Sequence, residues 1–359
     1  MGSMAKETRT VKEVSVIGLF CTGKNVSDGQ SIKTRIVTRE LEKAWGEENV
    51  GRIDTWGWKK HPLKLFRNCL RALRDSRNVI FMTDAGGIRV FPWLLLWGNV
   101  LYGHRLHYVV VGGWLPEFLK THPFPSACLK KFDTILGETT VMQEALREMG
   151  FTNVRRMPNF KDLTPLQEAQ LVVHREEPYP FCTFSRVMRK KGIEDAVEAV
   201  RSVNGKFGRT VCTLDIYGAV DPGETEWFAE LSAGFPPEVR YRGVVPFDRS
   251  VEVVKEYFAL LFPTFYPSEG IPGTILDAYA AGVPVIASRW SGFRDVVEEG
   301  VTGIGYPYLR NDLLKDVMEE VIRKPGRILN MKKNCLKKAE SFDPEQVMRI
   351  LLEALDERI

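Results

Sequence analysis

Short apolar runs alternate with amphipathic stretches along most of the chain, and this confines it to α/β architectures whose parallel sheets are covered on both faces. Residues 13–19, 78–82, 106–111 and 133–136 read as strands, separated by helical segments such as 31–45 and 140–149. A polar stretch, 159–178, interrupts the series. A second set of strand-like runs follows at 180–186, 211–217, 238–242, 259–262 and 284–288. With 359 residues, 44% of them hydrophobic, the chain can fill two cores.

Residues 266–288 carry the most chemistry. Glu269 and Asp277 are eight positions apart around a Gly- and Pro-rich turn. A helix opening near Pro272 leaves Glu269 before its N-terminus and encloses Asp277. The amides of Gly270, Ile271, Gly273 and Thr274 then point at whatever lies over the helix start, and the helix dipole favours an anion there. A phosphate or diphosphate suits that position. Gly282 reads as the helix stop and 283–288 as a short buried parallel strand. By itself the segment also fits one strand–helix–strand unit of any α/β protein.

Upstream, Arg186 ends an apolar strand and Lys191 precedes a helix. Both can converge above the carboxyl edge of a sheet, where ligands bind in open α/β domains. The run is either a solvated basic turn or a pair that neutralises a leaving diphosphate. Arg186 is better suited to bidentate phosphate binding, Lys191 to acting as a point charge.

Charge is unevenly divided. Residues 1–178 hold 26 Lys and Arg against 19 Asp and Glu, a net of +7, and the remainder is −3. Lys59, Lys60, Lys64, Arg67, Arg71, Arg74 and Arg77 accompany Leu63, Phe66, Leu70 and Leu73, whose spacing marks one helical face over 62–77. Such a helix either lies on an anionic membrane or packs on a sheet with a solvated basic side. Residues 91–97 are too short to span a bilayer and read as a core helix or a membrane-dipping edge. Nucleic acid is not expected as a partner, since no recognised binding motif accompanies the cations. The loop 21–31 precedes a helix and can touch a phosphate through Gly29, yet it is neither a P-loop nor a dinucleotide fingerprint. Six scattered cysteines without a Cys-x-x-Cys pair argue against zinc or a disulfide framework and for a reducing cytoplasm. No signal peptide is read, and residues 1–4 look like a cloning remnant.

Together these segments resemble the retaining glycosyltransferases of family 4. Glu269 to Asp277 followed by 278–287 matches their Glu-x7-Glu and Ala-x-Ala-x-Gly-x-Pro-Val-Ile-Ala pattern. Residues 291–303 resemble the downstream segment, with Asp295 where Glu is usual, and 184–192 resemble the Gly-Arg-Leu…Lys-Gly signature. The resemblance spans roughly half the chain and implies the GT-B fold, two Rossmann-like domains with parallel sheets facing a central cleft. The expected domains are 1–162 for the acceptor, 163–178 as a linker, 179–342 for a nucleotide-sugar donor, and a helix in 343–359 crossing back.

The implied activity is retaining, metal-independent transfer of a hexose-type sugar from a nucleotide-diphosphate sugar, UDP-sugar above others, to a glycan or lipid-linked hydroxyl acceptor in surface polysaccharide or glycolipid synthesis. No resident cofactor is expected, because the chain has no Asp-x-Asp pair to hold a metal. The resemblance gives Glu269 the sugar hydroxyls, Arg186 and Lys191 the diphosphate, Asp277 the ribose, and Gly243 and Val245 the nucleobase. Asp277 is one methylene shorter than the family's Glu. Relatives carry a His after the fourth strand, where this chain has residues 111–114; His107 falls inside the strand and reads as core. Glu138 and Asn159 are acceptor-side candidates. A nucleotide-sugar epimerase and a non-catalytic binding subunit are the alternatives. The expected location is the cytoplasm, peripheral on the inner membrane face.

Overall fold

The computed structural model describes residues 11–22 and 29–356. Residues 1–4, expected to be a cloning remnant, and most of the loop 21–31 lie outside that range. The chain forms two compact units, one from residues before Asn159 together with the C-terminal stretch from Pro344, the other spanning Asn159–Asp343.

The first unit holds six parallel strands, β1 Lys12–Gly18, β2 Val50–Asp54, β3 Ser76–Phe81, β4 Arg105–Val109, β5 Thr134–Gly137 and β6 Val154–Arg156, in the order β2-β1-β3-β4-β5-β6. The sequence pattern marks neither β2 nor β6, and both are sheet edges. In β2 only Val50 is buried, and β6 is Val-Arg-Arg, so one-sided pairing leaves little apolar signal. Ile17, Val79, Phe81, Leu106, Tyr108 and Ile135 form the centre of this core. Complete burial of each such side chain stabilises by about 1.5–3 kcal/mol. The helix Pro344–Asp356 belongs to this unit, and Arg105 donates to the carbonyls of Ala354 and Leu355 at 3.0 Å each, satisfying orphan acceptors of its last turn.

The basic helix is Pro62–Asp75, ending earlier than the sequence suggests; Arg77 sits in β3. Its buried row is Leu65, Cys69, Ala72 and Leu73, not Leu63, Phe66, Leu70 and Leu73. Small Cys and Ala residues let the helix lie close on the sheet, while Phe66 and Leu70 are half-buried and Leu63 is exposed. Glu138, expected as an acceptor-side group, is buried and accepts from the equally buried Lys33 ammonium at 2.8 Å, which also donates to the Val110 carbonyl at 3.0 Å. A buried ion pair of this kind is costly to break from either side. His107 is core, hydrogen-bonding Asn78 at 3.2 Å, and burial with Arg105 and Arg155 nearby pushes its pKa down to about 3.

The second unit repeats the scheme with β7 Tyr179–Phe184, β8 Cys212–Tyr217, β9 Val239–Gly243, β10 Ala259–Phe262, β11 Val285–Ser288 and β12 Gly303–Tyr306, all parallel, in the order β12-β11-β10-β7-β8-β9. The sequence pattern does not mark β12, a Gly-Ile-Gly-Tyr edge whose first glycine fits because a Cβ there would come 2.4 Å from the Val285 carbonyl oxygen. Residues 163–178, expected as a linker, pack within this unit. The buried Leu166 donates its amide to the Ala280 carbonyl at 2.8 Å, and Leu171 fills the space beside Gly282. No helix among the described residues is long and apolar enough to cross a membrane.

Candidate functional site

In the second sheet the strand order reverses between β7 and β10, which pair directly at Ala259–Phe181 and Leu260–Cys182. Open α/β sheets bind ligands beyond the carboxyl ends of their strands at such a switch point. Arg186 and Lys191 leave β7 at that edge, and Glu269 lies in the loop after β10.

The turn after β7 is held by backbone geometry. Arg189–Lys191 form one 3₁₀ turn and Gly192 follows with φ +70°, a left-handed conformation that favours glycine. A Cβ at Gly192 would lie 2.1 Å from the Pro263 carbonyl oxygen, so the turn seats directly on the chain leaving β10. The Phe265 amide donates to the Lys190 carbonyl at 2.9 Å from the other side. Lys191 is thereby delivered to Glu269, and the two form an ion pair with side-chain exposures of 14% and 10%. The Thr264 hydroxyl donates to the same Glu269 oxygen at 3.0 Å, and the Lys191 ammonium lies 5.3 Å from the Phe262 ring centre and 5.4 Å from that of Tyr266.

The helix opens at Gly273 and runs to Ala280, so Glu269 precedes it and Asp277 is inside it. Ile275, Leu276, Ala278, Tyr279 and Ala280 bury its face. The amides of Gly270, Gly273 and Thr274 donate to no acceptor among the described residues, and the Thr274 hydroxyl is buried without a partner. Ile271 is buried beside them, its carbonyl accepting from the Asn159 amide at 2.9 Å. Asn159, expected on the first domain, therefore belongs to the second unit and braces this loop.

Asp277 is buried, and its Oδ1 receives both the Lys161 ammonium and the Ser250 hydroxyl, the latter at 2.7 Å. Its Oδ2 has no partner among the described residues. Burial raises the Asp277 pKa above the ordinary carboxylate value, and Lys161 and Ser250 oppose that shift. Sequence reasoning missed Lys161, Ser250 and Thr264, which lie outside the recognised motifs. A lysine inside a polar stretch carries no signal of a buried carboxylate far along the chain.

Arg186 is exposed and stands apart from the Lys191–Glu269 pair, reaching Asp221 at 3.5 Å. Gly243 ends the edge strand β9 with φ +78°, and Val245 is half-buried two residues on. Gly29 opens the helix Gly29–Trp45 in the first unit. At the corresponding edge of the first sheet, Gln30, Thr55, Trp58, Lys59, Thr83 and Asp84 line a cavity of about 340 Å³. Among the described residues no three His, Cys, Asp or Glu side chains gather as a metal site.

Known proteins share this sequence pattern and this fold. Residues 180–324 match the family described as glycosyl transferases group 1. The amylovoran biosynthesis glycosyltransferase AmsK of Erwinia amylovora is 28% identical over 143 residues, covering 35% of this chain and 32% of that protein. A D-inositol 3-phosphate glycosyltransferase of Rhodococcus jostii is 28% identical over 107 residues, 30% of this chain and 23% of that protein. The chain thus spans about a third or less of the length of these curated relatives. Anabaena HepE, solved in complex with UDP and glucose, superposes with a TM-score of 0.74 at 14% identity over 96% of this chain and 99% of its own. The lipopolysaccharide outer core galactosyltransferase WaaB, in its apo form, superposes with a TM-score of 0.66 at 19% identity over the same shares. The match across the second sheet makes residues 180–324 similar to the group 1 glycosyltransferases, and the likeness to HepE and WaaB over nearly the whole length shows the GT-B fold, with its two parallel six-stranded sheets.

Proposed function

We propose that the protein moves a hexose-type sugar from a nucleotide-diphosphate sugar to a hydroxyl acceptor with retention of anomeric configuration. The second unit holds the donor. The diphosphate lies over the open start of the helix Gly273–Ala280, where the amides of Gly270, Ile271, Gly273 and Thr274 and the helix dipole meet it. Lys191 leaves Glu269 for the departing phosphate, Arg186 swings in from Asp221, and Glu269 takes the sugar hydroxyls. The free Oδ2 of Asp277 faces the ribose, with Lys161 and Ser250 fixing its carboxylate. The backbone at Gly243 and Val245 meets the base, and Gly29 is a further phosphate contact. Electrostatic stabilisation of the leaving diphosphate contributes most to lowering the barrier, since these groups are preorganised before the charge develops. The single observation that carries this reading is the Lys191–Glu269 pair beside unsatisfied helix-start amides at the switch point of the second sheet.

UDP-sugar is the proposed donor, supported by the UDP and glucose named with HepE. The first unit takes the acceptor, with the cavity at Gln30, Thr55, Lys59 and Asp84 as its entry. The names of AmsK and WaaB support an acceptor from surface polysaccharide or glycolipid synthesis. The proposed location is the cytoplasmic side of a membrane, with the basic helix Pro62–Asp75 against its surface. The test is to incubate the protein with α-linked UDP-hexoses and a panel of glycan and lipid-linked acceptors, following UDP release and the product's anomeric proton by NMR. UDP release with an α-linked product is expected. A β-linked product overturns retention, and an epimerised donor without UDP release points to the epimerase reading.

A further inference from the structure

The helix Phe91–Asn99 divides the apolar run 91–97 between two faces. Phe91, Leu94, Leu95 and Gly98 are buried, whereas Trp93 and Trp97 are turned outward. The chain continues into a turn whose tip, Val100 and Leu101, is 83% and 79% exposed. Leu63, on the neighbouring helix Pro62–Asp75, is 75% exposed. Exposed large apolar residues are ordinary when scattered, but a contiguous group marks a contact surface.

This group is rigidly presented. A Cβ on Gly98 would come within 2.8 Å of Leu73 and 2.9 Å of Leu70, so the two helices touch backbone to side chain, and the Phe66 and Trp97 rings lie 6.4 Å apart. The Asn99 side chain closes the turn, donating to the His104 carbonyl at 2.6 Å and accepting the His104 amide at 2.9 Å. Gly103 completes it with φ +65°. Local hydrogen bonds thus hold two bare aliphatic side chains outward.

The surroundings select the occupant. Lys59, Lys60, Lys64, Arg67 and Arg71 are exposed and have no carboxylate partner among the described residues, and residues 56–74 contain no acid. A second copy meeting through the same patch would set cation against cation. Tryptophans beside a helix that carries uncompensated cations match the boundary of an anionic bilayer, where indole sits at headgroup level and each cation adds attraction.

We propose that the turn Val100–Leu101, with Trp93 and Trp97 of the helix that leads into it, inserts into the headgroup–acyl boundary of an anionic membrane, and that the cations of the neighbouring helix Pro62–Asp75 hold the headgroups beside it. This rests on the membrane-surface contact proposed above and not on glycosyl transfer. It moves the anchoring from the basic helix's own apolar residues to the tip of the next helix.

The test is flotation of the full chain with phosphatidylcholine vesicles made with and without phosphatidylglycerol, at low and high salt. Wild type is expected to float with the anionic vesicles and far less with the neutral ones. The double variant V100E/L101E, checked for folding by its unfolding temperature, is expected to lose on the order of 100-fold in partitioning. K64E/R67E is expected to lose the preference for anionic lipid. Unchanged flotation of V100E/L101E overturns insertion and leaves a purely electrostatic contact. Wild type that floats with neither vesicle but sediments as a dimer, a dimer that V100E/L101E dissolves, overturns the proposal in favour of self-association. Because no donor enters this assay, its outcome is independent of whether sugar transfer stands.

Discussion

The Lys191 ammonium and the Glu269 carboxylate, 78 positions apart in sequence, form a largely buried ion pair across the switch point of the second sheet. A diphosphate bound there, as proposed, would compete with Glu269 for the lysine. Removing the carboxylate's charge therefore frees Lys191. Glu269→Gln is expected to bind UDP several-fold more tightly than wild type while lowering kcat by about 100-fold or more, because the sugar loses its anchor. Titration with UDP and steady-state kinetics check both halves. Weaker UDP binding in this variant would show that the pair does not oppose the phosphate.

The turn that carries Lys191 depends on Gly192. An alanine there meets the Pro263 carbonyl oxygen at 2.1 Å and is held at φ +70°. Gly192→Ala is expected to destabilise the chain by about 2 kcal/mol or more and to lower transfer further than stability alone explains. Urea unfolding and kinetics on the folded fraction separate the two effects. Wild-type behaviour in both would mean the turn relaxes freely.

Legibility in the sequence followed the strength of local patterns. Internal strands such as β10, Ala259–Phe262, are continuous apolar runs and are readable to the residue. The edges β2, β6 and β12 are short, polar or Gly-rich, and only pairing with a neighbour makes them strands. Motif spacing singles out Glu269, Lys191 and Asp277, since a helix start imposes its own order on neighbouring residues. Lys161, Ser250 and Thr264 carry no such spacing, and only folding brings them to a carboxylate. The phase of the basic helix is misread from sequence because Leu63 and Phe66 outweigh Cys69 and Ala72 in hydrophobicity, while the sheet selects the smaller pair for close approach.

Behind the helix Gly273–Ala280, Lys332 is buried with only long contacts to the carbonyls of Tyr257 and Gly282, at 3.5 and 3.4 Å. Burial lowers its pKa to about 8. Below pH 8 the lysine is charged in both states and the penalty is fully present. Between about 8 and 10.5 the unfolded chain binds more protons, so stability rises with pH through that window. Lys332→Met is expected to stabilise by about 3 kcal/mol at pH 7, with the gain fading toward pH 11. Urea unfolding at both ends of the range measures it. A gain independent of pH would mean that packing, not charge burial, is responsible.

Cationic side chains and helix-start amides are assigned the work that a divalent ion performs on a leaving diphosphate elsewhere. Transfer is accordingly expected to persist in excess EDTA with kcat within about twofold of the untreated value. Abolition by EDTA and restoration by magnesium or manganese would refute that assignment.

Whether the second unit grips the diphosphate of a nucleotide-sugar donor is decided by calorimetric titration with UDP, UMP and uridine. UDP is expected to bind at least about tenfold more tightly than UMP and far more tightly than uridine. Lys191→Ala or Arg186→Ala is expected to erase most of the difference between UDP and UMP. Equal affinity for UDP and uridine, or a phosphate preference unchanged in both variants, would contradict a diphosphate grip by these residues.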